Sequence, residues 1–248
     1  MEKYPPRLVF SFFSSSRKPA KVPFRADMHS HLLPGIDDGV KSNEHSLVTI
    51  QKLMDLGYEK FVTTPHIMSD TYPNTPAIIN EKLASLKEFL AARNVTADIQ
   101  AAAEYYLDEY TMAAVNGPEP LLTFGKKYLL FETNYLSEPF ILKEFIFNAT
   151  SKGYQLVLAH PERYQYMTME KAQDLMDRGV LLQVNLLSLS GFYMKPVQKF
   201  AEKLIENRMV SFLGSDCHND MQAIALQKAL QTKAFQKAIE LPLLNATI

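Results

Sequence analysis

Asp27-Met28-His29-Ser30-His31-Leu32-Leu33-Pro34-Gly35-Ile36-Asp37-Asp38-Gly39 is the stretch on which the reading of this chain turns. It continues a short apolar run over 24–29 that reads as a strand, and it sets two histidines one residue apart. Residues i and i+2 of an extended backbone share a face, so both imidazoles point the same way. Pro34-Gly35 then turns the chain and carries Asp37 and Asp38 on the following loop. Asp38 reads as a metal ligand. Asp37 reads as a turn residue or as support for a ligand.

The same pattern recurs along the chain. Apolar runs predict strands over 24–29, 60–64, 98–103, 128–132, 155–160, 181–185 and 210–214. Amphipathic stretches between them predict helices over 42–56, 76–92, 139–152, 169–178, 196–207 and about 221–239. Ser42, Thr75 and Thr168 stand where N-caps belong, and Gly57, Gly153 and Gly179 where helices end. The segment 105–127 contains Gly117-Pro118 and Pro120, so any helix there is short. Strands alternating with helices imply a parallel sheet, which an open doubly wound sheet and a closed barrel both satisfy.

The polar residues favour the barrel. Six of the seven predicted strands run into a His, Asp or Glu at their C-terminal ends: His29 and His31, His66, Glu104, Glu132, His160, and Asp216 with His218. In a parallel barrel those ends share one rim. In an open sheet the outer strands would lie too far apart to share a site. The expected fold is therefore a distorted TIM-like (β/α)7 barrel over 25–248, with residues 1–24 as an N-terminal arm.

A lone histidine at a strand end is usually a hydrogen-bonded structural residue, so the metal reading rests on co-occurrence. Five of the six histidines fall at strand ends or the adjoining loop. The candidate ligands are His29, His31, Asp38, His66, Glu104, Glu132, His160, Asp216 and His218. At about four to six ligands per ion, so many imply two or three ions. Imidazole with carboxylate suits Zn²⁺, Mn²⁺, Fe²⁺ and Co²⁺ better than Ca²⁺ or Mg²⁺. Glu132 follows Leu129-Leu130-Phe131, where a carboxylate is costly to bury without a cation; a salt bridge to Lys126 or Lys127 is the plainer alternative. His45 reads as a solvated or supporting residue.

Composition narrows the class. Of 248 residues 47% are hydrophobic, enough for a large core. The formal net charge of −1 gives no long-range attraction to nucleic acid or an anionic membrane. The single cysteine, Cys217, excludes an intramolecular disulfide, and no apolar run approaches membrane-spanning length. The expected location is cytoplasmic.

The strings DMHSHLLPGIDDG, TTPH, AAAEYYLD, FET, LAHPERY, QVN and GSDCHN, in this order from Asp27 to Asn219, resemble the PHP (polymerase and histidinol phosphatase) family. The resemblance is closest to its bacterial tyrosine-phosphatase branch, the CpsB/CapC type. It implies a distorted barrel with three metals, manganese above all, with Fe, Zn, Co or Mg as alternatives. His29, His31, Glu104 and Asp216 would hold one ion. Glu104 would bridge to a second held by Glu132 and His160. Asp38, His66 and His218 would hold a third. Arg163 of the HPER string would clamp the substrate phosphate, with Tyr72 and Asn74 of the Tyr72-Pro73-Asn74 string also at the substrate. His218 or Asp38 would protonate the leaving group. Relatives often carry a second histidine after the TPH string, where this chain has Ile67 and Met68.

The function so implied is metal-dependent phosphomonoester hydrolysis. The leading substrate is a phosphotyrosine protein, the tail of a bacterial tyrosine kinase controlling capsule or exopolysaccharide export. The alternatives are a small-molecule phosphatase such as one for histidinol phosphate, and a non-catalytic metal-binding interaction module. A cysteine phosphatase is disfavoured, because Ala223 stands six residues after Cys217 where that chemistry needs arginine. No nucleic acid and no membrane insertion are expected; an oligomer is compatible with the sequence.

Overall fold

Every strand pairing in the fold is parallel, as the alternation of strands and helices requires. The computed structural model describes residues 20–248. In chain order the elements are β1 (Ala26–Asp27), α1 (Asn43–Asp55), β2 (Lys60–Thr63), β3 (His66–Ile67), α2 (Pro76–Ala91), β4 (Asp98–Ala101), β5 (Glu104–Tyr106) and α3 (Glu109–Asn116). There follow β6 (Tyr128–Glu132), α4 (Leu142–Ser151), β7 (Gln155–Ala159), α5 (Met169–Asp177), β8 (Leu181–Asn185) and α6 (Leu186–Leu189). The chain closes with α7 (Lys195–Glu206), β9 (Phe212–Gly214), α8 (Asp220–Leu230) and α9 (Lys233–Ala238).

The ladders form two sheets, β1-β2-β4 and β3-β5-β6-β7-β8-β9, so the single closed barrel expected from the sequence is not what they make. The break has a local cause. Pro65 has no N–H to give a ladder; β2 corresponds to the expected strand over 60–64, and Pro65 separates it from β3, which was not expected. Its partner splits into β4 and β5 at Ala102-Ala103. Hydrogen bonds still cross the gap: Ala102 N donates to Thr63 O at 2.9 Å and Glu104 N to Pro65 O at 3.1 Å. At the other edge, Ser30 pairs with Cys217 in an isolated parallel bridge beyond β1 and β9. There His31 N donates to Cys217 O at 2.9 Å and Asp216 N to His29 O at 2.8 Å.

The core has two parts. A large cluster joins the helices to the outer faces of the sheets, and α7 shows why: Val197, Ala201, Leu204 and Ile205 are buried on one helical stripe. A smaller cluster of Met28, Val62, Ala102, Leu130, Val157, Ala159 and Phe212 draws on strands of both sheets. Leu130 lies two residues before Glu132 on β6, so alternation puts this apolar layer on the same strand face as that carboxylate.

Local signals act as expected at the helix starts. Ser42, Thr75 and Thr168 accept backbone hydrogen bonds from His45, Ile78 and Lys171. Each such cap is worth about 1 kcal/mol. The expected helix over 221–239 divides in two, because the Thr232 hydroxyl accepts from Phe235 N and starts α9 afresh. Of the expected N-terminal arm, residues 1–19 lie outside the described residues. Residues 20–24 belong to the packed body: Val22 and Phe24 are buried, and Val22 N donates to Leu56 O at 2.9 Å. Among the described residues no helix is long and apolar enough to cross a membrane.

Candidate metal centre

Eight of the nine candidate ligands sit at or just past strand ends, and the loop that follows β1 supplies Asp38. That loop is held close to the site. A Cβ on Gly39 would lie 2.4 Å from His31 O and 2.6 Å from His31 Cβ, so only glycine lets the loop fold back over the histidine.

His29 and His31 are fully buried and oriented from behind. His29 Nδ1 donates to Gln183 Oε1 at 2.8 Å, and His31 Nδ1 to Asp37 Oδ2 at 2.8 Å. Both rings therefore present Nε2 to a common centre, 3.3 Å apart. The carboxylates meet them there. Glu104 Oε2 lies 3.2 Å from His29 Nε2 and 3.4 Å from His31 Nε2; Asp216 Oδ1 lies 3.3 and 3.4 Å from the same atoms. His160 Nε2 approaches Glu104 Oε1 at 3.0 Å. His66 Nδ1 lies 3.2 Å from Glu104 and 3.1 Å from Glu132, and its Nε2 lies 3.5 Å from Asp38. His218 Nε2 lies 3.4 Å from that same Asp38 oxygen.

Backbone strain marks two of these positions. His160 (φ 34°) and Asp216 (φ 50°) adopt left-handed conformations that L-residues rarely take. Each stands where its strand stops, so the turn aims the side chain into the centre.

These donors fit divalent cations. His66 Nδ1 is buried and close to two carboxylates, yet it makes no hydrogen bond with either. Two neighbouring Nε2 atoms aimed at one point have no proton to share if both Nδ1 atoms carry theirs. A cation at that point would satisfy all of them. Four sets of ligand atoms lie mutually within 4.8 Å: His31, Asp38, His66 and His218; His29, His160 and Asp216; His29, His31 and Glu104; and His66, Glu104 and Glu132. This grouping differs in part from the expected one. Glu132 is nearer to His66 than to His160, whose Nε2 is 3.9 Å away, so His66 groups with Glu104 and Glu132 as well as with Asp38 and His218. The alternative for Glu132, a salt bridge to Lys126 or Lys127, is absent among the described residues.

The electrostatics follow from packing acids and imidazoles together. Burial alone would raise the Glu104 and Asp216 carboxyls. His29 and His66 overcome this at Glu104, and His29 and His218 at Asp216, holding both well below the usual carboxylate range. Burial likewise opposes charge on His66, but Glu104 and Glu132 push it up to about 9. Asp38 is held below the usual range, chiefly by His218 against the pull of burial. Behind the ligands, burial pushes Asp27 up to about 6, although it accepts hydrogen bonds from Ser215 N and Oγ.

A cleft of about 170 Å³ opens on the cluster, lined by Asp38, His66, Glu104, Tyr135, His160, Arg163, Tyr193, Asp216, His218 and Gln222. Arg163 enters from the 3-10 turn Pro161–Arg163. Its Nη1 donates to Asp216 Oδ2 at 3.2 Å, and its guanidinium carbon lies 4.9 Å from the Tyr135 ring centre and 4.7 Å from that of Tyr193. Tyr72 stacks on His66 at 5.6 Å without lining the cleft. Asn74, expected at the substrate, is engaged elsewhere. Its buried amide donates to Ile36 O and His66 O, tying the Asp38 loop to β3. His45 pairs with Asp220, and Cys217 is buried in the apolar core.

Sequence reasoning missed Tyr135, Tyr193 and Gln222, and it assigned no role to Gln183 and Asn185. Asn185 Nδ2 donates to Asp216 Oδ2 at 2.6 Å, and Gln183 Nε2 to Asn185 Oδ1 at 2.8 Å. β8, the one expected strand without a candidate ligand, thus orients Asp216 beyond its neighbour β9 and His29 beyond β1. Alternation was the available signal, since residues 183 and 185 share a strand face.

Comparison with known proteins adds a family. Residues 25–238 match the model of capsular polysaccharide synthesis proteins, CpsB/CapC. The tyrosine-protein phosphatase YwqE of Bacillus subtilis (strain 168) is 26% identical over 219 residues, covering 87% of this chain and 86% of YwqE. The tyrosine-protein phosphatase CpsB of Streptococcus pneumoniae is 28% identical over 206 residues, 78% of this chain and 82% of CpsB. Among solved structures, one from the work on YwqE and CpsB, described as metal-dependent tyrosine phosphatases, aligns with a TM-score of 0.73 at 24% identity. It covers 88% of this chain and 96% of that one. The lactonase Lmo2620 of Listeria monocytogenes shares the fold at a TM-score of 0.55 and 10% identity, over 90% of this chain and 93% of that one.

Proposed function

The chain belongs to the CpsB/CapC family of capsular polysaccharide synthesis proteins, and from that premise we propose that it is a metal-dependent phosphatase of phosphotyrosine in proteins. The observation that carries the proposal is the placement of Arg163 in one cleft with Asp38, His66, Glu104, His160, Asp216 and His218. Anion recognition and cation ligation there meet on a single reacting group.

The two sheets, linked across Pro65 and through Ser30 and Cys217, act as one distorted seven-stranded barrel with the site at its C-terminal rim. The nine ligands hold two or three ions, manganese first among the candidates. The substrate is the phosphorylated tail of a tyrosine kinase, met in the cytoplasm.

Bound divalent cations would supply Lewis acidity, acidifying water and neutralising phosphoryl charge. The chain supplies the rest. Arg163 offers two parallel N–H groups that match phosphate geometry. Tyr135 and Tyr193 hold its guanidinium plane, and Asp216 anchors one end of it. Gln183 and Asp37 fix the tautomers of His29 and His31. Asp38 is held ionised, so it makes a poor acid for the leaving oxygen. A tyrosyl phenolate needs little such help. Arg163 is the sole lysine or arginine among the described residues lining the cleft. One guanidinium suits a single phosphoryl group presented by a peptide better than the deep basic pocket a small phosphate ester would call for.

The test is to assay the Mn²⁺-loaded protein against a phosphotyrosine peptide, a phosphoserine peptide and histidinol phosphate. Phosphotyrosine turnover should lead by at least about tenfold, be abolished by chelation and return with Mn²⁺. Preferential hydrolysis of histidinol phosphate would transfer the assignment to the small-molecule reading, and no hydrolysis of any would remove the enzyme.

A further inference from the structure

Scattered exposed apolar residues are ordinary, but five of the eleven large ones among the described residues lie on the segments that line the cleft. Leu136 (67% exposed) follows Tyr135, and Phe140 (106%) lies on the same β6–α4 connection. Phe192 (47%) and Met194 (61%) flank Tyr193, and Met221 (67%) precedes Gln222. Two connections and the first turn of α8 thus each pair a cleft-lining side chain with an outward apolar neighbour. Contact makes the link physical at one point. The Phe192 ring packs edge-on against Tyr193 at 5.4 Å, and Tyr193 in turn faces Arg163.

Resting on the phosphatase reading above, we propose that this apolar rim is a substrate-recognition surface that selects peptides with apolar or aromatic side chains flanking the phosphorylated residue. Continuity with the cleft identifies the occupant. A chain whose phosphoryl group reaches Arg163 must lay its neighbouring residues across the mouth, where Leu136, Phe192 and Met221 wait for them. Burying such side chains against apolar side chains of the peptide makes the rim a source of binding, not of chemistry.

The experiment compares two phosphotyrosine peptides, one with Leu and Phe on both sides of the phosphotyrosine and one with Ser and Gly there. Both are assayed with the metal-loaded wild type and with the triple variant Leu136→Ser, Met194→Ser, Met221→Ser. The wild type should prefer the apolar-flanked peptide by about tenfold or more in kcat/KM, through KM. The variant should lose that preference with kcat unchanged. p-Nitrophenyl phosphate has no flanks, so it reports on the phosphatase reading alone, and its turnover in the variant reports correct folding. No turnover of it by the wild type overturns that reading and this proposal with it. Turnover without discrimination between the peptides overturns the proposal only. Sedimentation with phosphatidylglycerol vesicles that is lost in the variant, with no peptide preference, would instead assign the rim to a membrane surface.

Discussion

Gln183 Oε1 accepts a hydrogen bond from His29 Nδ1 at 2.8 Å, and that contact decides which nitrogen of His29 faces the ligand cluster. The amide carries no charge, so it orients the imidazole without adding any. It also passes order onward: Gln183 Nε2 donates to Asn185, and Asn185 to Asp216. A ligand that follows β1 and another that follows β9 are thereby oriented by one strand.

Replacing Gln183 by leucine should weaken metal binding by about 10- to 100-fold, the usual cost of losing a partner that orients a ligating histidine. Leucine keeps the volume but leaves the His29 N–H and the Asn185 oxygen without partners. Gln183→Glu, which retains the acceptor, should lose less. Competition titration with a metal indicator checks both, and equal affinity in wild type and Gln183→Leu would refute the role.

Arg163→Ala should lower phosphotyrosine turnover by a factor of about 100 or more. Because Arg163 also touches Asp216, metal content must be measured alongside, and it should stay near the wild-type value. Arg163→Lys keeps the charge but not the fork, so it should recover only part of the loss. Wild-type turnover in Arg163→Ala would remove the arginine from the reaction.

Stability of the metal-free protein should fall as pH rises through the range between 6.5 and about 9. His66 has its folded value raised from 6.5 to about 9, with Glu104 and Glu132 outweighing burial. The folded chain holds that proton more tightly than the unfolded chain. The resulting contribution is therefore full below 6.5 and gone above about 9. Metal binding has the opposite slope, since ligation needs the deprotonated nitrogen. Calorimetric melting of chelated and Mn²⁺-loaded protein across this window measures both. A chelated protein that grows more stable toward pH 9 would contradict the first sign, and Mn²⁺ affinity that declines with pH the second.

How much of this was legible beforehand depends on the range over which each signal acts. His29 and His31, or Asp216 and His218, are visible because alternation along one strand is local. The caps at Ser42, Thr75 and Thr168 are local too. The split of the sheet at Pro65 was open to the same reasoning, since proline cannot serve a central ladder, but the apolar run 60–64 masked it. Tyr135 and Tyr193 were not legible. They are two of twelve tyrosines, in connections without periodicity, and only the tertiary fold brings them beside Arg163. Asn74 misled because its string matched, while its amide is consumed by Ile36 and His66. The sharing of His66 between two ligand sets depends on cross-strand distances that no spacing along the chain encodes.

Cys217 offers the sharpest separation from thiol chemistry. Its side chain is buried in the apolar core, its S–H donates to Asn219 O at 3.2 Å, and burial pushes the thiol up. A thiol so placed is neither ionised nor accessible to a phosphoryl group. Cys217→Ala should therefore keep kcat and KM within about twofold while costing about 1 kcal/mol of stability for the small void. Alkylating reagents should leave the folded enzyme active and modify it only after unfolding. Loss of turnover in a Cys217→Ala protein that melts normally and binds its full complement of metal would mean that the sulfur, not the ligand cluster, carries the reaction.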